Sequence, residues 1–178
     1  MATEATLSSA WDQHLASEFA AKSADQALAT MTAEPHVNVV PLMIGARGRT
    51  ELHAFYANHF LNQIPPDMEM VPVSRTIGQG RVVDELVMRF THSIRMDWLL
   101  PGVAPTGKRV EMPFVVLVQF EGDKLAHEHL YWDQASVLVQ VGLLERTLPV
   151  RGGETAAQVL DPTQPMNELI RRALSNNR

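Results

Sequence analysis

The densest chemistry in the 178-residue chain lies in one short stretch, Lys124 to Asp133. Strand parity counted from Leu125 puts His127, His129, Tyr131 and Asp133 on one face with Leu125, and Ala126, Glu128, Leu130 and Trp132 on the other. The first face carries two imidazoles, a phenol and a carboxylate along roughly 25 Å of strand, at about 3.3 Å per residue. A carboxylate with an imidazole in reach is a general base with its partner acid. Val115–Phe120 and Ala135–Leu144, on either side, are strongly apolar. A polar face between them either lines a cavity, satisfies itself by hydrogen bonding, or is solvated.

Asp133 is therefore expected to be the base, with His129 or His92 as partner acid and with Asn38 and Tyr131 donating to a developing oxyanion. Burial against Trp98, Trp132, Met88 and Phe90 would raise the carboxylate pKa toward working pH. Other contributors come from separate segments. Val82, Asp84, Leu86, Met88, Phe90 and His92 share a face of one strand, whose apolar run thus ends in a carboxylate and an imidazole. In His36-Val37-Asn38 the two polar side chains point the same way, opposite Val37 and Val39. Asp97 and Trp98 precede a Pro/Gly loop, and Tyr56 lies on an amphipathic helix. The expected substrate contacts are His36, Asn38, Tyr56, Asp84, Asp97, Trp98, His127 and Tyr131. For Asp84, His92 and Tyr56 a purely structural role competes: a strand-end carboxylate on backbone amides, or a core side chain with its polar atom satisfied.

The seven histidines also raise a metal reading, in which His127-x-His129 and a carboxylate serve Zn²⁺ or Fe²⁺. No HExxH helix accompanies them and their spacing to His92 and Asp133 is unconstrained, so neither metal nor cofactor is expected.

The elements that must position these residues read as helices first and strands later, an α+β pattern with a mostly antiparallel sheet. Ser9-Ala10-Trp11-Asp12 has the form of a capping box, followed by Trp11, Leu15 and Phe19 at helical spacing. A second helix is predicted over 24–31, capped by Ser23 and ended by Pro35, then a strand over 36–41. Thr50 starts a helix that Pro65-Pro66 stops. Strands are predicted at about 68–77, 81–92, 110–120 and 125–133, with Gly78-Gln79-Gly80 and Gly122-Asp123 as hairpin turns. Ala135–Leu144 is apolar nearly all round and is expected at a sheet edge or a subunit contact. Gly152-Gly153 sets off two short helices, at 154–160 and 167–174. Residues 1–144 are read as the pocket domain and 145–178 as a helical tail packed on the body or on a dimer partner.

The length suits one domain with a sizeable core. A net charge of −5 argues against a nucleic-acid footprint, and no apolar run approaches the roughly 18 residues needed to cross a membrane. The first ten residues lack the pattern of a signal peptide, so the cytoplasm is the expected compartment. With no cysteine, thiolate chemistry and disulfides are excluded.

Arg81-Val82-Val83, Thr91-His92, the loop Pro101 to Lys108, and Lys124 through His129 to Trp132-Asp133 together resemble the SnoaL-like polyketide cyclase family over about Trp11–Leu144. The resemblance implies a nuclear transport factor 2-like fold: a cone of curved antiparallel sheet closed by about three helices, paired into a homodimer through the sheets. It also implies a pocket for an apolar or polyketide-like molecule, with Asp133 at the acid/base position of the cyclases. Limonene epoxide hydrolases, in the same superfamily, carry a polar-x-Asn pair that His36-Val37-Asn38 resembles. Arg95-Met96-Asp97 has the spacing of their Arg-x-Asp pair; counted from Gly80-Arg81, Val87 and Arg89 take those positions instead. The leading expectation is cofactor-independent acid/base catalysis of cyclase, isomerase or lyase type. An epoxide-hydrolase-like reaction and non-catalytic binding are the alternatives.

Overall fold

The computed structural model describes residues 2–176. Helix α1 (Glu4–Leu15) is capped by Thr3, whose hydroxyl accepts from the Thr6 amide at 3.2 Å, and runs on into a π-turn at Ala16–Ala20. The helix thus starts before the Ser9 box, which lies mid-helix, because Thr3 offers the same capping chemistry earlier. Helix α2 (Ala24–Ala29) is capped by Ser23 as expected. Strand β1 (Met31–Val39) begins where helix was predicted, and Pro35 lies inside it. The pairing of β1 shifts register between Met31 and His36, an irregularity that accommodates a residue with no amide hydrogen.

Strand β2 (Ile44–Arg47) and helix α3 (Arg49–Phe55) follow, and α3 also widens into a π-turn, at Tyr56–Phe60. Gly45 is obligatory: a Cβ there would fall 1.9 Å from the Val37 carbonyl oxygen of the adjacent strand. Strands β3 (Glu69–Gly78), β4 (Arg81–Thr91), β5 (Arg109–Glu121) and β6 (Lys124–Trp132) are close to their predicted limits. Helices α4 (Gln134–Gln140), α5 (Glu154–Leu160) and α6 (Glu168–Asn176) complete the chain.

The six strands form one curved sheet in the order β2-β1-β6-β5-β4-β3, antiparallel throughout except for the β1/β6 pair. Along β4 and β5 alternate residues are buried, and Val82, Met88, Phe90, Val110, Met112 and Val118 build the concave face. Helices α1 and α3 cover that face with Leu7, Trp11, Leu52, Phe55 and Phe60. Pro72 lies on the edge strand β3, where a missing ladder donor is tolerated. Helix α4 packs against β5, and the Gln140 side-chain amide both accepts from the Glu111 N–H (2.8 Å) and donates to its carbonyl (2.9 Å).

One irregularity decides which residues face the core. Gln119 pairs with His127 and Phe120 with Leu125, so β6 carries one extra residue at Ala126. This bulge breaks the alternation. Leu125 faces the core, and so do Glu128 and Leu130; His127 and His129 are half-buried and Tyr131 is exposed on the outer face. The grouping of His127, His129 and Tyr131 on one face holds, but Leu125 does not belong with them, and the face is the convex one.

Candidate active site

Helix α1 turns Leu7, Trp11 and His14 inward, and His14 is fully buried. Its Nδ1 lies 2.6 Å from the Thr30 hydroxyl, which itself donates to the Ala27 carbonyl at 2.7 Å. Thr30 must therefore accept, and Nδ1 carries a hydrogen. On the other side of the ring, Nε2 lies 3.1 Å from Glu18 Oε1, 2.9 Å from Glu128 Oε1 and 3.4 Å from the Tyr56 hydroxyl. A bare lone pair there would face two carboxyl groups, so the ring is favoured as imidazolium. Burial, the largest single influence, opposes this, but the charges of Glu18 and Glu128 and the hydrogen bond to Glu18 outweigh it and raise the His14 pKa to about 10.

A single Nε2–H cannot serve both acids squarely, and Glu128 Oε1, despite its proximity, has no aligned donor. Desolvation raises the Glu128 pKa, His14 pulls it down and Glu18 pushes it up, with a net rise. The Tyr56 pKa is also raised, first by burial and then by the two acids, so its hydroxyl remains a neutral donor. Glu18 and Tyr56 each sit in the π-turn of their helix, a distortion that recurs at functional sites.

Next to this cluster, Asp84 accepts from Arg75 Nε (2.7 Å), Arg75 Nη2 (2.8 Å) and Trp11 Nε1 (2.8 Å). Arg75 also donates to Ser8 and Asp12, at 2.8 Å each, which fixes α1 against β3.

Glu18, Asp84 and Glu128 line an interior cavity of about 30 Å³ whose other walls are apolar, among them Trp11, Phe60 and Trp98. That volume holds about one or two waters. Leu15, Met70, Asp84 and Leu86 also line an outer groove of about 380 Å³ beside β3. Leu15 and Met70, both partly buried, thus stand between the two spaces.

Of the sequence-predicted residues, Asp84 and Trp98 line this cavity and Tyr56 borders its polar cluster. The rest are elsewhere. Asp133 is the N-cap of α4: its exposed carboxylate accepts from the amides of Ala135 (2.9 Å) and Ser136 (3.2 Å). His92 is fully buried at the end of β4, where Nδ1 accepts from the Thr106 amide (3.3 Å) and Nε2 has no partner. Burial lowers its pKa. Asp97 is held by Arg95 (2.6 Å), Gln63 (3.1 Å) and His59 (3.2 Å), and its pKa falls to about 2, chiefly through Arg95. His36, Asn38, His127, His129 and Tyr131 are on the outer face of the sheet. The expected pairing of Asp133 with an imidazole is therefore not assembled, nor is that of Asp133 with Asn38.

Sequence reasoning missed His14, Glu18 and Glu128. The available signals were His14 and Glu18 at i, i+4 on the Trp11 helix, and a carboxylate at Glu128 beside Leu130. His14, Glu18 and Glu128 have ligand atoms within 4.8 Å of one another, but a metal there would have to displace the Nε2 proton.

The sheet and its helices define a class of protein: solved structures with the nuclear transport factor 2-like fold superimpose on the chain. A protein from Jannaschia sp. CCS1 assigned as a SnoaL-like polyketide cyclase matches with a TM-score of 0.66 at 19% identity, over 80% of this chain and 95% of that one. AclR from Streptomyces galilaeus, assigned as a hydroxylase, gives 0.60 at 17%, over 80% and 89%. The epoxide hydrolase/cyclase-like enzyme SalBIII of salinomycin pyran-ring formation gives 0.56 at 15%, over 74% and 94%. No curated protein matches the chain significantly. Residues 10–128 match the SnoaL-like domain, and the chain belongs to that family. Among the described residues, no helix is long and apolar enough to cross a membrane.

Proposed function

We propose that the chain is a small-molecule enzyme that performs cofactor-independent acid/base chemistry of cyclase or isomerase type inside the cone, with Glu128 as the general base. The observation that carries this reading is Glu128, a cavity-lining carboxylate whose buried Oε1 is ion-paired with His14 Nε2 at 2.9 Å yet has no aligned hydrogen-bond donor. A purely structural ion pair would be expected to satisfy both oxygens.

Glu128 takes a proton from a carbon next to a carbonyl, and the C–H electron pair moves into an enolate. The His14 imidazolium, beside the cavity-lining Glu18, stabilises the negative charge that develops on the oxygen. The enolate then either regains the proton from Glu128 at another carbon or attacks a second carbonyl within the substrate, closing a ring, and the alkoxide so formed takes the proton back from Glu128. The raised Glu128 pKa makes it a stronger base when ionised. Asp84, locked by Arg75 and Trp11, fixes the wall. The substrate is apolar, in keeping with the walls, and larger than the closed cavity of about 30 Å³; it enters by displacing Leu15 and Met70, which joins the cavity to the outer groove of about 380 Å³. The chain pairs as a homodimer, as the family resemblance implies, with the groove beside His36, Asn38 and His129 left open at the β2/β1 edge of the sheet.

Incubation of the protein with a panel of β-dicarbonyl and polyketide-like compounds in D₂O, followed by ¹H NMR, tests the reading without knowledge of the product. Enzyme-accelerated loss of the α-proton signal supports it. No acceleration with any member, together with ¹⁸O uptake from labelled water into an epoxide substrate, would replace it with hydrolysis. Binding with neither reaction would replace it with a non-catalytic role.

A further inference from the structure

Away from the cavity, the parallel pairing of β1 and β6 sets His36 opposite His127 and Asn38 opposite His129 on the outer face. Three imidazoles meet there. The His36 and His127 rings stack with centroids 4.5 Å apart, His127 and His129 are 4.8 Å apart, and His36 and His129 are 5.5 Å apart. One ring nitrogen from each lies within 4.8 Å of the others, and His36 Nε2 is 3.3 Å from His129 Nε2.

A zinc–nitrogen bond is about 2.0–2.1 Å, so two tetrahedral ligand atoms stand about 3.3 Å apart. The His36–His129 separation already has that value, and the third nitrogen needs a closure of at most about 1.5 Å by side-chain rotation. Without an ion, one N–H can donate to one facing lone pair, but a third imidazole in the same space gains no equivalent partner. Among the described residues, none of the three has a carboxylate within 4.0 Å that would favour its protonation. His36, Asn38 and His129 also line a groove of about 500 Å³ with Met43–Arg47, so the cluster is reachable from solvent.

We propose that His36, His127 and His129 form a binding site for one divalent zinc-type ion on the outer sheet face, with the fourth coordination position left to water or to a group entering the groove. Neighbouring strands supply the rigid part of the site: β1 gives one ligand and β6 gives two at i, i+2. The site is independent of the chemistry in the cavity.

Isothermal titration of chelator-stripped protein with Zn²⁺ tests this, together with ¹H–¹⁵N NMR of the histidine rings. The expected result is one ion per chain and selective shifts of the His36, His127 and His129 resonances, with His92 and His14 unmoved. Loss of outer-shell partners costs metal affinity about 10–100-fold, so H36Q and H129Q should each exceed that loss. E128Q, which alters the interior His/Glu cluster, should bind zinc like the wild type. Circular dichroism of each variant confirms the fold, and the wild-type NMR shifts stand without any variant. No zinc uptake by the wild type, or uptake abolished by E128Q and retained by H36Q and H129Q, would overturn the proposal.

Discussion

Glu128 and His129 are consecutive on β6 and stand on opposite faces of the sheet. Glu128 is 3% exposed against His14, and His129 is half-buried outside with its Nε2 3.3 Å from that of His36. One strand thus serves two polar assemblies. The inner one combines carboxyl groups with an imidazolium; the outer one holds imidazoles without a carboxylate.

The inner assembly makes stability depend on pH. The His14 pKa is about 10 in the folded chain against 6.5 for an ordinary histidine. Between these values the folded state holds a proton that the unfolded state has released, so stability falls as pH rises. The contribution is fully present below about pH 6.5 and is lost as pH rises through 10. The raised Glu128 acts in the same direction, since its proton too is held more tightly when folded. Urea denaturation from pH 6 to 10 should show this decline, at no more than about 1.4 kcal/mol per pH unit per proton. In H14Q the slope should be visibly shallower.

Asp133 should matter for stability rather than turnover. Its carboxylate caps α4 through two backbone amides. D133A is expected to cost about 0.5–2 kcal/mol, and D133N a few tenths at most, because Asn caps nearly as well. The midpoint of chemical denaturation measures both.

Met70 and Leu15 separate the interior cavity from the outer groove. M70A should speed association of an apolar ligand, and M70W should slow it, with little change in the Glu128 proton chemistry. Stopped-flow quenching of Trp fluorescence is a suitable readout, because Trp11 and Trp98 are both in the cavity wall.

Much of the fold was legible in the sequence. The hairpin glycines, the four long strands and the Ser23 cap were read from local chemistry and recur in the structure. The α+β class, the SnoaL-like kinship and the common face of His127, His129 and Tyr131 came through as well. The facing of β6 turned on one residue. The bulge at Ala126 reverses parity between Leu125 and His127, and alternation alone cannot register an extra residue. It moved the histidines outward and Glu128 inward. His14 and Glu18 were overlooked because they are polar residues on a helix read for its apolar face, and only the tertiary approach of β6 makes them a cluster. For Asp133, a strand-end aspartate and a helix N-cap look identical in sequence when the next element is a helix, and in the structure its carboxylate is on the α4 amides. His36 joins the other imidazoles through a parallel pairing between strands 91 residues apart at His36 and His127, which no local spacing can encode.

The central claim is that the cavity base is Glu128. The most direct measurement is deuterium exchange into a β-dicarbonyl substrate by E128Q and D133N, side by side with the wild type and with folding checked by circular dichroism. A positioned base contributes about 10²–10⁴-fold, so E128Q should lose roughly that much of the exchange rate while D133N retains it. Full activity in E128Q with loss in D133N would contradict the assignment and return the chemistry to the end of β6.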